Sequence, residues 1–465
     1  MMSEPPAREE RSNWVEAIGL PHLLRTLGLS VQPAKLTLGL AAILLTFVWG
    51  GLLDWVWLRG GGVDAAAVRQ FISSRELDQP YVEPGGASGI FAVWRDHERH
   101  CILGLMGSSL PGTSVAAGTP LGAYVESHSY DQPLRNFLGM GYGAWWMMKH
   151  HPLYAVLFFG GGLVIWALFG GAICRLAAVQ FARDEKLTAA QGFSFARTRW
   201  FGGYFLAPCI PLVFAAGIMA VLVLGGVLLR FPVLGDLLAG VLFFLALLGG
   251  FLIATLLVGL LIGGSLFWPA VATEGSDAFD AFSRALSYPL SRPLKAIIYA
   301  VLTVVYASVC WVFVNLFTYF ALAITHTIVS FGTSPFGWWS RGAGGAEVSK
   351  LDLLWPIGGP NVLHRWPDWS QLTWYEHLSA LLIWVYVAAV IGLMWSFLAS
   401  FYFSGSTVVY ALLRRDVDAI DLDEVFVEDV APIGADRLAS PPSVPPDNEK
   451  DISLPIAGAT GLPGQ

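Results

Sequence analysis

Charge is what this sequence lacks. Asp, Glu, Lys and Arg together make up 13% of its 465 residues, about half of the roughly 25% found in soluble domains. Hydrophobic residues reach 55% and the mean hydropathy is +0.59, so an ordinary water-soluble fold is excluded. Cysteine is scarce as well. Cys101, Cys174, Cys209 and Cys310 are the whole set, and three of them fall in or beside apolar runs, which rules out a disulfide framework and a cysteine-based zinc spacing. A Walker-type phosphate loop, a G-x-S-x-G elbow and a paired-carboxylate site are also missing. The formal net charge of −7 comes from acids crowded after the last apolar run, from Asp416 to Asp451. The body before them is slightly basic, so charge argues for neither nucleic acid nor an acidic substrate.

What is present is apolar sequence in long runs. Six stretches, 36–58, 152–178, 204–229, 234–266, 294–328 and 377–403, are each long enough as helices to cross about 30 Å of hydrocarbon. They must be helices, because unpaired backbone in lipid costs several kcal/mol per group and barrel-type alternation is absent. The first run is too long, and begins too far from Met1, for a cleaved signal peptide, although "DAAAV" after it mimics a small-residue cleavage site. Before it, "SNWVEAIGLPHLLRTLGL" places Trp14, Ile18, Leu23, Leu24 and Leu27 beside Glu16 and Arg25. This reads as a short interfacial helix interrupted at Pro21.

Lys and Arg orient the spans. Arg8, Arg11, Arg25 and Lys35 precede the first; Arg183, Lys186, Arg197 and Arg199 lie between the second and third; Arg284, Arg292 and Lys295 lie between the fourth and fifth; Arg414 and Arg415 follow the sixth. All four basic sides coincide if both termini are cytoplasmic in a bacterial inner membrane. The expected fold is all-α with six transmembrane helices, two cytoplasmic amphipathic elbow helices and a small extracytoplasmic loop domain containing a β-hairpin. Its expected parts are a cytoplasmic segment (1–35), a first span (36–58), an extracytoplasmic domain (59–151) and a four-helix membrane core (152–330) with elbows at 183–201 and 276–290. A Trp-rich extracytoplasmic loop (331–376), a last span (377–410) and an acidic, largely disordered cytoplasmic tail (411–465) complete it. The fourth and fifth runs are too long for straight crossings and must tilt, project into water or break. Gly249-Gly250 offers a break, which as a re-entrant pair would reverse every later loop.

The elbows echo one another. "ICRLAAVQFARDEKLTAAQGFSFARTRW" and "PAVATEGSDAFDAFSRALSYPLSRPLKAIIYA" each carry an Ala-Val, then acids, then a Phe-Ser pair before basic residues. In the first, Thr188 with Gln191 makes a capping box and Leu187, Ala190, Phe193 and Trp200 recur at helical spacing. In the second, Ser276 can cap, Asp277 suits the helix start, and Phe279, Phe282 and Leu286 form the stripe. Both units run in the same direction, as in a parallel duplication; shared cytoplasmic-loop composition is the alternative explanation of the echo. Together with the tail start "YALLRRDVDAIDLDEVF", the pattern resembles that of uncharacterised bacterial polytopic integral membrane proteins of about six spans, over roughly residues 150 to 430. The resemblance implies architecture and no assigned activity or catalytic residue.

Candidate chemistry is thin. "GIFAVW" and "CILGLMG" flank "RDHERH" as a hairpin would, and Asp96, His97, Glu98 and His100 with His128, His150 or His151 could ligate a metal; the spacing is not that of a zincin helix, and a solvated turn accounts for the same residues. His150-His151, beside Trp145, Trp146 and Lys149, reads as an interfacial anchor. Trp338, Trp339, Trp355, Trp366, Trp369 and Trp374 read as an interfacial belt, with stacking on a sugar or a lipid headgroup the alternative. Within the spans the polar residues are Asp54, Thr255, Asn315, Thr318, Thr325 and His326; only Asp54 and His326 could serve a coupled pump, and both lie toward the outer water, which argues against one. Gly160 to Gly162, Gly170-Gly171, Gly249-Gly250 and the Gly259/Gly263 GxxxG supply small packing faces. No residue is assigned a catalytic, cofactor-binding or metal-ligating role and no cofactor is implied. The expected partners are the lipid bilayer and other membrane subunits, not nucleic acid. The function expected is a structural, assembly or permease-like subunit, the alternatives being a transporter or channel built on a duplicated unit and a membrane enzyme acting at the outer face.

Overall fold

The computed structural model describes residues 19–74, 89–108, 133–228, 230–231, 234–333, 349–358, 363 and 367–426. Among them every regular element is a helix, and six helical runs are long and apolar enough to cross a membrane. The chain opens with α1 (Leu20–Leu24) and α2 (Thr26–Ser30), then enters the first long helix, α3 (Pro33–Arg59). Pro21 and Pro33 stand in the first turns of α1 and α3, where no backbone N–H is needed. Pro21 thus starts a helix, and the break comes at Arg25. Trp14 and Ile18 lie outside the described residues.

Three helices follow: α4 (Ala65–Ser74), α5 (Ile90–Ser108) and α6 (Pro133–His150). The expected β-hairpin is therefore absent: "GIFAVW", "RDHERH" and "CILGLMG" belong to the single helix α5. Two distant features account for this. Asp54 on α3 accepts the Phe91 and Ala92 N–H groups at 2.9 and 3.1 Å, capping α5 from outside with a carboxylate at its positive end. Gly139 and Gly143 on α6 then admit the polar residues of α5. A Cβ at Gly143 would meet Glu98 and His97 at 2.8 Å, and one at Gly139 would meet Cys101 at 3.0 Å. This small-residue face lets the two helices approach closely. At its other end α5 reaches the fifth span, where Ser308 Oγ donates to Met106 Sδ at 3.5 Å.

The second long helix, α7 (Pro152–Arg183), leads to α8 (Ala189–Thr198) and, through a π-helical turn at Trp200–Phe205, into α9 (Leu206–Leu228). Next come α10 (Leu234–Gly263), a 3₁₀ turn at Gly264–Leu266, α11 (Phe267–Glu274), α12 (Ala278–Ser291) and α13 (Pro293–Thr333). The last two helices are α14 (Lys350–Leu354) and α15 (Trp374–Asp418). Helix α10 runs unbroken through Gly249-Gly250, and the interruption falls at Gly264 instead. At 41 and 45 residues, α13 and α15 extend to about 60 Å and beyond at 1.5 Å per residue, so both project past the hydrocarbon.

Both segments at the expected elbow positions contain helices, and each follows a left-handed C-cap: Asp184 (φ 55°) after α7 and Gly275 (φ 66°) after α11. Thr188 and Gln191 form the capping box that begins α8. Asp277, rather than Ser276, caps α12 by accepting from the Asp280 N–H at 2.9 Å. The buried faces differ from the expected stripes. In α12 they are Ala278, Ala281, Ala285 and Tyr288, with Phe279 exposed. Pro289 cannot donate back to the Ala285 carbonyl, whose oxygen would lie 2.6 Å from a Cβ at Gly263. Glycine there allows a backbone-to-backbone crossing of α10 and α12.

One end of the bundle gathers the start of the chain, α8, α11, α12 and the end of α15. Arg25 meets Asp184 at 2.6 Å, Ser400 Oγ donates to the Ser30 carbonyl at 2.8 Å, and Lys295 meets Asp416 at 2.9 Å. We call this the terminal end, and the end carrying Asp54, His151 and Trp374 the far end. The α9–α10 pair meets the bundle at α12 and leaves much of its remaining length uncovered. Leu222 packs on Gly249 between the two helices, yet the most apolar stretch of the fourth span contains no buried residue.

Candidate functional site

Beside α7, where it faces the start of α9 and the turn at Gly264–Leu266, lies an open cleft of about 410 Å³. Trp94 from α5, Phe158 and Trp166 from α7, Trp268 from α11 and Phe403 from α15 line it, together with Gly162, Pro208 and the half-exposed Tyr402. The rings hold one another in place: Trp94 meets Phe158 edge-on at 5.0 Å, Trp166 meets Phe403 at 5.7 Å, and Trp268 stacks on Phe403 at 5.4 Å. Gly170 makes the Trp268–Phe403 stack feasible, since a Cβ there would meet the two rings at 2.8 and 2.7 Å. Few polar atoms face the space. Thr46 Oγ1 is engaged with the Ala42 carbonyl at 2.8 Å and Trp268 Nε1 with the Tyr204 carbonyl at 2.8 Å. Such a lining can bind hydrocarbon; it holds no nucleophile-base pair.

The terminal end is the second concentration of chemistry. Glu274, at the close of α11, lies 2.6 Å from Arg284 and 3.2 Å from Arg414, and accepts the Tyr410 hydroxyl at 2.5 Å. Arg175, buried on α7, donates to the carbonyls of Ala272 at 2.9 Å and Phe426 at 2.7 Å and lies over the Phe195 ring at 4.1 Å. Phe426 donates its N–H to the Thr273 carbonyl at 2.8 Å, and its ring faces Arg199 at 4.8 Å. Arg199 also donates to the Gly275 carbonyl. Tyr288 donates to Asp418 at 2.5 Å, while Asp416 takes Lys295 and Tyr299 at 2.9 Å. The tail start therefore docks on α7 through the Phe426 carbonyl, on α11 through its N–H and on Phe195 and Arg199 through its ring, and its carboxylates pair with α12 and α13. Nearby, Lys35 is fully buried and donates to the Leu29 carbonyl at 2.9 Å and to Gln180 Oε1 at 2.8 Å.

The sequence candidates scatter over this frame. Asp96, His97, Glu98 and His100 take different directions around α5. Asp96 pairs with Arg95 at 3.2 Å, His97 Nε2 meets the Gly139 carbonyl at 2.9 Å, Glu98 is buried, and His100 is exposed. Among the described residues no three His, Cys, Asp or Glu side chains are placed to share a metal; His128 lies outside them. His151 is buried beside Trp146, while its neighbour His150 is exposed. Trp355 packs beside His326, which lies 3.1 Å from Asp352, and Trp374 is exposed. Trp338, Trp339 and Trp366 lie outside the described residues. Asn315 is buried in α13, and Thr255, Thr318 and Thr325 each donate back into their own helix. Gly161, Gly170, Gly171, Gly249, Gly259 and Gly263 all sit against side chains or backbone, whereas Gly160, Gly162 and Gly250 face open space.

Sequence reasoning missed Lys35 and Arg175 as buried groups, because both sit at span ends where a basic residue is expected at the interface. It missed the cleft because six separate segments build it. No known protein family, no characterised protein and no solved structure matches this chain.

Proposed function

We propose that this multi-pass membrane protein resides in a bacterial inner membrane with both termini cytoplasmic, and serves as a structural, assembly or permease-like subunit that works through helix and lipid contacts. The observation that carries this reading is the α9–α10 pair, whose apolar flanks, with Phe251 and Leu237 about 70% exposed, are turned away from the rest of the chain. A hydrocarbon-rich surface of this kind can take lipid or apolar partner helices without paired polar groups. A photocrosslinking residue placed at Phe251 in the full chain, in its native membrane, should capture a second membrane polypeptide. Adducts with lipid alone would sink the subunit reading. Reporter fusions after each span test the sidedness, and a far-end reporter active in the cytoplasm would overturn it.

A second reading, a transporter or channel, is favoured by the two span–cap–helix–span units, α7–α8–α9 and α10–α11–α12–α13, with their matching left-handed caps at Asp184 and Gly275. Flux in liposomes that is unaltered by substitutions at Asn315, His326 and Gly250 would remove it.

A further inference from the structure

We infer that the aromatic cleft beside α7 is a binding site for one acyl chain of a bilayer phospholipid, distinct from the general lipid that bathes the spans. The inference rests on the lipid-contact reading above and makes it specific to one place.

Three occupants are conceivable: vacuum, water and hydrocarbon. An engineered apolar cavity of about 150 Å³ already binds benzene, and this cleft is more than twice that size at about 410 Å³. Left empty, its ring-lined walls would forfeit their dispersion contacts on one side. Water needs two to four polar partners to settle in such a space. Here the Thr46 hydroxyl and the Trp268 indole already have partners, and the Ser265 and Tyr402 hydroxyls and the Trp94 and Trp166 indoles are dispersed over four separate elements among apolar rings. Hydrocarbon remains, and its source is at hand. The cleft is open, and its lining includes the half-exposed Tyr402 and Pro208, one turn before the exposed Leu212 of α9.

Preformation separates a site from a surface groove. Flexible aliphatic walls would collapse or exchange shapes; these walls are rings fixed by contacts of their own. Trp268 is pinned by its hydrogen bond and its stack on Phe403, and Trp94 by Phe158. Scaled from the six carbons of benzene in a cavity of about 150 Å³, a volume of about 410 Å³ accommodates a dozen or more carbons. That is most of one chain and not two.

Gly162 provides the test. It lines the cleft, and a Cβ there would meet nothing within 4 Å, so Gly162→Phe fills the space without a clash at Cβ. Gly160 has equally open surroundings and does not line the cleft, which makes Gly160→Phe the matched control. The full chain, reconstituted in vesicles of phosphatidylethanolamine containing a trace of the same lipid with a diazirine on one acyl chain, would be irradiated and its labelled peptides mapped. The inference expects labelling concentrated on the peptides carrying Phe158 to Trp166, Trp268 and Phe403. Gly162→Phe should reduce it roughly tenfold, since a filled cleft leaves a chain no void to occupy, whereas Gly160→Phe and labelling of α9–α10 should stay unchanged. Labelling of the wild-type chain spread merely in proportion to exposure, or cleft labelling unchanged in Gly162→Phe, would overturn it. Retained α9–α10 labelling reports that the variant is inserted and folded. If it were lost, the wild-type map alone decides. Crosslinking at Phe251 is independent of this result, so the site and the subunit reading can fail separately.

Discussion

Trp268 donates its indole N–H to the Tyr204 carbonyl at 2.8 Å, a carbonyl that Pro208, four residues on, cannot serve. The ring of proline removes the helical donor at the point where the π-helical turn passes into α9, and a side chain from α11 replaces it. An unsatisfied buried carbonyl costs about 1–3 kcal/mol. Trp268→Phe, which keeps an aromatic ring against Phe403 and loses the donor, should destabilise the protein by about that amount in detergent. In a Pro208→Ala background the backbone N–H returns, and the same substitution should cost less than about 1 kcal/mol. Thermal unfolding of the four variants measures the coupling; simple additivity would mean the hydrogen bond contributes nothing.

Lys35 and Gln180 make a buried pair of unequal members. The ammonium has two neutral oxygens as hydrogen-bond partners, the Leu29 carbonyl and Gln180 Oε1. Removing one partner of a buried charge is costly, whereas replacing the whole arrangement by apolar groups is often neutral. Gln180→Leu should therefore destabilise by about 2–4 kcal/mol, and Lys35→Met combined with Gln180→Leu should recover most of that. Urea or thermal unfolding in detergent would show it. A double variant as unstable as the single one would place the role of Lys35 outside stability.

Most of the spans were legible because length and hydropathy are properties of contiguous sequence, and lipid leaves helix as the only local answer. The Gly259/Gly263 face was legible for the same reason, its spacing lying on one helix. Helix α5 was not. "RDHERH" reads as a turn until Asp54, 37 residues before Phe91, caps the helix and Gly139, 42 residues after His97, receives its imidazole. The cleft was illegible in kind: Trp and Phe are visible in the sequence, but which of them converge depends on the paths of α5, α7, α11 and α15. Opposite charges in the tail start and the basic segments are visible in the sequence, yet the Arg175 contact is made by a Phe426 carbonyl and the Arg199 contact by its ring, which no charge pattern encodes.

Glu274 holds the terminal end together. With its side chain 8% exposed, it faces Arg284 at 2.6 Å and Arg414 at 3.2 Å, so it joins α11 to α12 and α15. Neutralising it leaves two guanidinium groups with less compensation in a partly dry site, at a cost of about 3–5 kcal/mol. Glu274→Gln should lower the thermal midpoint and speed proteolysis at residues 419–426, because α15 and the Phe426 contact depend on the same helix end. Arg25→Ala, which removes an exposed pair with Asp184, should change stability by less than about 1 kcal/mol. Equal effects of the two substitutions would refute the assignment.

The last expectation concerns pH. Burial pushes the His151 imidazole below its usual range against an opposing pull from Asp64, and burial does the same to His22, helped by Arg415 and Arg25. Both groups are neutral in the folded protein near neutrality. In the unfolded chain they take up protons around their ordinary value of about 6.5, before the folded chain does. The unfolded state then binds more protons, so stability falls as pH drops through that value and levels off once the folded groups protonate too. The two imidazoles therefore add a declining component to the thermal midpoint from pH 8 down to pH 5, against the opposite trend from Glu98, whose buried carboxyl is pushed up to about 8. His151→Asn combined with His22→Asn should remove that declining component and shift the slope accordingly, whereas His150→Asn, at an exposed neighbour, should leave the slope intact. A double variant with the wild-type slope would assign the pH response to other groups.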